Sequence, residues 1–168
     1  SLLGQEKKTL YIERTENPPK IDGTLDEEVW ANAMEAKDFT QFRPAMGIAE
    51  NQGQHTIVKM TYDNEAIYIG AYLYDDPKLI MNQINSRDSF GQNDFFLVVL
   101  NPNNDAQNDT ELVVFPSGGQ ADAIASPSNG EDFGWNAVWD SAVSIVDDGW
   151  IVEMKIPYSA LRFANQEE

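Results

Sequence analysis

Apolar and polar residues alternate with a period of two along most of this chain, and turn-forming residues break the alternation at short intervals. Residues 9–14 read as a short strand that Asn17-Pro18-Pro19 breaks. Ile21-Asp22-Gly23 signals a turn. Thr24-Leu25-Asp26-Glu27 then has the spacing of a capping box, in which the Thr24 hydroxyl and the Glu27 carboxylate satisfy each other's backbone N–H groups. Acidic residues at Asp26, Glu27 and Glu28 suit the positive end of a helix. The spacing predicts two to three helical turns to about Ala36, with Leu25, Val29, Trp30 and Ala33 facing inward.

Strands follow. Residues 56–62 alternate, with Val58, Met60 and Tyr62 on one face; Asp63-Asn64-Glu65 turns the chain, and 66–74 returns to Asp75-Asp76-Pro77. Residues 95–100 are apolar throughout, which predicts a central strand buried on both faces. A polar loop over 101–109 leads to a strand at 111–115, a Pro116-Ser117-Gly118-Gly119 turn and a strand at 120–125. Residues 129–134 read as a further loop. The strongest hairpin signal comes last: a strand at 142–146, the tight turn Asp147-Asp148-Gly149, and a returning strand at 150–156. That strand puts Trp150, Val152, Met154 and Ile156 on one face and Glu153 and Lys155 on the other. Pro157 has no N–H to donate and stops the pairing. Eight or nine short strands and one early helix predict an all-β, antiparallel, jelly-roll-like β-sandwich with one short N-terminal helix.

Composition narrows the class. At 168 residues the chain suits one domain, and its 42% hydrophobic content excludes disorder. No apolar run approaches the ~20 residues of a membrane-spanning helix. Eleven basic against twenty-eight acidic residues give 11 − 28 = −17, a charge that repels nucleic acid and anionic lipid and offers oxygens to a hard cation. The absence of cysteine excludes disulfides, thiolate metal sites and cysteine catalysis. Residues 1–8 open apolar and small and turn polar at Glu6-Lys7-Lys8, the pattern of a signal-peptide remnant or of an ordinary chain end. The domain is expected to fill 9–163, with 164–168 opening a linker. Nothing signals an enzyme: there is no serine-centred nucleophile motif and no phosphate loop, and among twenty-eight acids a carboxylate pair carries no information. His55, the one histidine, reads as exposed.

Several motifs line up in order. Ile21-Asp22-Gly23-Thr24-Leu25-Asp26-Glu27 followed by Trp30, and Val58-Lys59-Met60-Thr61-Tyr62-Asp63 leading into Ile67-Tyr68-Ile69, resemble the opening of the family 9 carbohydrate-binding modules. Arg87-Asp88, Asn93-Asp94, the loop to Asp105, Gly119-Gln120-Ala121-Asp122, Trp139-Asp140, Gly149-Trp150-Ile151-Val152-Glu153, Ile156-Pro157 and Leu161-Arg162-Phe163 are similar to one branch of that family. Its members stand at the N-terminus of Bacteroidetes-type outer-membrane proteins, ahead of a long β-rich region. The resemblance implies a non-catalytic sandwich that binds oligo- or polysaccharide, often with structural calcium, in an extracytoplasmic protein of polysaccharide catabolism. The alternative is an interaction sandwich that packs on its own C-terminal membrane region, with sugar binding lost.

Sugar binding needs a flat aromatic face and polar groups at its rim. Of the four tryptophans, Trp30 and Trp150 read as core and Trp139 as a structural anchor at a strand start. Trp135, on the loop Asp132-Phe133-Gly134-Trp135-Asn136, is the candidate platform, against a reading in which it folds over the sandwich edge. Phe90 is a second candidate, with Arg87, Gln92 and Asn93 as rim. For calcium, which takes six to eight oxygens, the candidates are Asp75, Asp76, Asp88, Asp94 and Asp140, against solvated loop acids or a salt bridge to Arg87.

Overall fold

A computed structural model describes residues 8–44, 46–84, 86–104 and 107–161. Two sheets face each other. The larger contains β1 (Glu13–Arg14), β2 (Glu35–Ala36), β3 (Thr56–Tyr62), β4 (Ala66–Tyr74), β9 (Asp140–Val146) and β10 (Gly149–Pro157). Its order is β1-β3-β4-β10-β9, with β2 also against β3. The smaller sheet runs in sequence order through β5 (Phe96–Leu100), β6 (Asp109–Val114), β7 (Gln120–Ser126) and β8 (Gly130–Asp132). All pairings are antiparallel except the two-residue β1–β3 contact. The sandwich expected from the alternation is the fold, and the 56–62 and 66–74 strands fall where the pattern puts them. Asp105, Arg162 and Phe163, and the expected leader before Lys8 and linker after Phe163, lie outside the described residues.

The core fills the space between the sheets. Ile69 and Ala71 of β4, and Trp150, Val152, Met154 and Ile156 of β10, meet Leu112 and Val114 of β6. The inward face read for the last strand is therefore correct, and Trp139 is buried beside it.

The other face of β10 is not solvated. Ile21, Leu25, Val29 and Trp30 form a third layer against Ala66 and Tyr68 on the outside of the larger sheet. A Cβ at Gly70 would come within 2.7 Å of the Leu25 side chain and 3.3 Å of the Trp30 ring, so glycine sets how closely this layer approaches. Glu153, fully buried beneath it, accepts hydrogen bonds from the N–H groups of Asp22 (2.9 Å) and Gly23 (2.7 Å) and from Trp30 Nε1 (2.9 Å).

Four expectations are corrected here. The helix α1 spans only Glu28–Asn32, and no capping box forms. The Thr24 hydroxyl donates to Asp22 Oδ1 instead (2.7 Å), and Glu27 Oε1 accepts from the Lys20 N–H (3.0 Å). Ala33 is extended, and the next residues pair with β3 rather than continuing the helix. The apolar run at β5 is an edge strand: Phe96, Val98 and Leu100 pack on the core, while Leu97 and Val99 are 40% and 50% exposed. Periodicity reports apolar faces but not which strand lies at an edge. Third, the 129–134 stretch holds the short strand β8, and fourth, His55 is half-buried, stacked on Tyr74 at 4.0 Å.

Tyr72 stacks on Tyr74 in turn (4.3 Å), and its hydroxyl donates to Asp148 in the β9–β10 turn. That hydrogen bond, with burial, pushes the Tyr72 phenol up to about 12. With the folded value raised above the ordinary 10, the contribution to stability is complete below pH 10 and is lost as pH rises through about 12. In Asp148→Asn, ultraviolet titration should show one tyrosine moving back toward 10; an unchanged titration curve would remove Asp148 as the cause.

Candidate functional site

Two of the segments that carry candidate residues meet on β7. Alternation along this strand places Ala121 and Ala123 on its outer side and Asp122, alone among them, toward the interior. Asp122 is fully buried, and its carboxylate has three donors from outside its own strand: the Ala137 N–H (2.9 Å), Trp139 Nε1 (3.2 Å) and the Arg87 guanidinium. Arg87 also donates to the Ala137 carbonyl (3.3 Å). Asp88, held at φ 60°, turns its carboxylate back so that Oδ1 accepts the Asp122 N–H (3.2 Å). One buried carboxylate thus joins the 86–93 segment to the 132–139 segment.

Trp135 rides on the second of these segments. Asp132 Oδ1 accepts the Gly134 N–H (2.9 Å), closing a turn just before it. The indole is half-buried, with one side packed on the main core. It lines an open hollow of about 280 Å³ with Asn136, Ala137, Val138, Ser159 and Ala160. An indole beside an amide and a hydroxyl can take the apolar face of a pyranose and its flanking hydroxyls.

The other sugar candidates lie outside this hollow. Phe90 is half-buried in a cluster with Val113, Phe115 and Ala121, in edge-to-face contact with Phe95, Phe115 and Phe133 at 5.4–5.6 Å. It closes the outer face of the smaller sheet. Arg87 is nearly half exposed but anchors on Asp122. Asn93 is turned inward, donating to the Phe90 carbonyl (2.9 Å) and accepting the Gln83 N–H. Gln92 is exposed.

The five aspartates do not gather. Asp75 and Asp94 share a second hollow of about 280 Å³ with Asn93, Gln54, Tyr74, Phe95 and Trp150 at one end of the sandwich. Asp88 lies at β7, Asp76 accepts the Lys78 N–H (3.0 Å) and Asp140 is exposed at the start of β9. Asp75 Oδ1 is taken by the Asp76 N–H (2.7 Å) and Gln54 Nε2 (3.2 Å), and Asp94 Oδ2 by the Met81 N–H (2.9 Å). Among the described residues no group of three or more acidic or histidine side chains could hold one metal ion. The five therefore do not fit a single calcium cage; four of them brace loops through backbone N–H groups.

Sequence reasoning quoted Asp122 and Asn136 in motifs but named neither them nor Ser159 as site residues. For Asp122 a signal was present: the lone charge on a strand whose other residues are three alanines, an isoleucine, a glutamine and a serine. For Asn136 and Ser159 there was none, because only the closing of two loops brings them together.

Residues 21–168 match the family model described as carbohydrate family 9 binding domain-like. No curated protein matches the chain. Among solved structures, the fold is similar to a carbohydrate binding module family 9 from Caldicellulosiruptor kristjanssonii in complex with cellotriose. The TM-score is 0.64 at 21% identity, over 89% of this chain and 67% of that one. A family 9 module from the same organism in complex with glucose gives 0.62 at 20% identity, over 94% and 70%. At these identities the likeness shows the shared fold.

Proposed function

This chain belongs to the carbohydrate family 9 binding domain-like family, and from that membership we propose that it is a non-catalytic module that binds an oligosaccharide. The observation that carries the reading is Trp135: a half-buried indole, its loop fixed through Asp122, lining an open hollow with Asn136 and Ser159 at hand. The two similar modules are in complex with cellotriose and glucose, which supports a β-linked glucan or a sugar close to it as the ligand class in this reading. In this reading the module serves an extracytoplasmic polysaccharide-processing protein by holding substrate near other machinery. Support for that setting is the family resemblance of the motifs alone.

The test is calorimetric titration of the native chain and of Trp135→Ala with glucose, cellotriose and a panel of soluble glucans. The native chain should bind at least one of them, and the variant should bind about tenfold or more weakly while melting at nearly the native temperature. Native protein retained by no saccharide, or a Trp135→Ala variant that binds as well as native, would overturn the proposal.

A further inference from the structure

A second surface lies apart from the Trp135 hollow and does not depend on the saccharide reading. Residues 39–44 and 46–49 face each other as the two arms of a hairpin. The Gln41 N–H donates to the Ile48 carbonyl (2.7 Å), the Gly47 N–H to the Gln41 carbonyl (2.8 Å), and Thr40 bridges Ala49. None of its large apolar side chains belongs to a core cluster. Phe42 is 69% and Met46 76% exposed, and Ile48 is exposed beside them. At the base, exposed Phe39, Met34 and Tyr11 continue the apolar strip through two hollows that share Met34, one of them about 860 Å³.

Charge distinguishes the same stretch. Acids make up 28 of 168 residues, one in six, yet residues 39–49 contain none. Their one charge is Arg43, whose guanidinium lies over the Phe42 ring at 5.6 Å. Large exposed apolar groups gathered on an otherwise charged surface mark an interface. Here Phe42, Met46 and Ile48 line neither hollow and stand exposed at the turn, while the hollows lie at its base. A protein partner would need a pocket cut to receive the tip, whereas fluid acyl chains close around any projecting apolar group.

We propose that this hairpin docks on a lipid bilayer, placing Phe42 and Met46 among the upper acyl chains with Arg43 extended toward the phosphates. Burial of the two side chains supplies the affinity, and the Arg43 stem lies along apolar surface while its head stays wet. No carboxylate in the hairpin meets the headgroups. The net charge of −17 on the whole chain selects the lipid class, because an anionic surface repels the body behind the tip. The preferred surface is zwitterionic.

Vesicle flotation with the full chain tests this. The native protein should float with phosphatidylcholine vesicles and float less when phosphatidylglycerol is mixed in, with salt reversing that loss. Phe42→Ser/Met46→Ser should reduce the floated fraction about tenfold or more. Ile84→Ser, which changes an equally exposed residue outside the hairpin, should leave it unchanged. Circular dichroism checks that both variants fold, and their exposed positions make that the expectation. No flotation of native protein with either vesicle overturns the proposal, as does flotation that the double variant preserves. Light scattering that shows a native dimer lost in the double variant would also overturn it, by assigning the tip to a second copy of the chain.

Discussion

Glu153→Ala should destabilise the domain by about 3–5 kcal/mol in urea unfolding, because each buried donor left without its acceptor costs about 1–3 kcal/mol. The substitution leaves the N–H groups of Asp22 and Gly23 and the Trp30 indole without their acceptor, and the last two of these bonds are buried. Glu153→Gln separates charge from geometry. Both backbone N–H groups use Oε2 and Trp30 uses Oε1. A glutamine can serve the backbone pair with its oxygen, but it then turns its NH₂ toward the indole N–H, donor against donor. The expected loss is smaller, about 1–3 kcal/mol, and adding Trp30→Phe should recover part of it. Simple additivity of the two substitutions would sink this account.

The same residue gives a pH dependence with a definite sign. Burial raises the Glu153 carboxyl above its ordinary value of 4.5, and the three donors only partly oppose that shift. A folded-state value above the unfolded one means that the folded state holds the proton more firmly. The stability of native protein relative to Glu153→Gln is thus highest below pH 4.5, falls as pH rises through the raised value, and is flat above it. Urea midpoints for the pair across the acid range check this, with the variant cancelling the other carboxylates. A difference that grows with pH would contradict it.

What could be read from the sequence follows from what alternation encodes. The period of two and the Asp147-Asp148-Gly149 turn placed β3, β4, β9 and β10, and the faces of the last strand, because these depend on nearest neighbours along the chain. Trp150 sorts correctly into the interior for the same reason, and Trp30, read from helical spacing, and Trp139, read as an anchor at a strand start, are buried too. Alternation does not reveal what covers a face. Glu153 reads as an outward residue of a two-sided sheet, and only the third layer built by residues 21–33 buries it. Nor does it distinguish the edge from the centre of a sheet, so Phe96–Leu100 reads as central although Leu97 and Val99 meet solvent. The family motifs hold clues of another kind. Asp22, Gly23, Trp30 and Glu153 lie 131 positions apart at most, yet are one hydrogen-bonded unit. Arg87, Asp122 and Trp139 are another.

Asp122→Ala should produce the second large effect and tie stability to the candidate site. Two of the lost bonds, to the Ala137 N–H and the Trp139 indole, are buried, so their donors are left unsatisfied. The third strands the Arg87 guanidinium, which is nearly half exposed and can rehydrate, so it adds less. Together these predict a loss of about 3–5 kcal/mol in urea unfolding, mostly from the two unsatisfied buried donors at about 1–3 kcal/mol each. Asp122→Asn preserves shape and one acceptor oxygen and should cost about 1–3 kcal/mol. Because Ala137 is the first fixed point after Trp135, loosening it lets the indole leave the hollow that it shares with Ser159. At a temperature where Asp122→Asn is fully folded, its affinity for the saccharide that native protein binds should therefore fall several-fold. Indole exposure to a neutral quencher should rise in parallel. A variant that loses stability but binds the sugar normally would confine Asp122 to the fold and separate it from the Trp135 site. A loss of binding with no change in quenching would place the ligand elsewhere, and the hollow at Tyr74 and Phe95 is then the next surface to mutate.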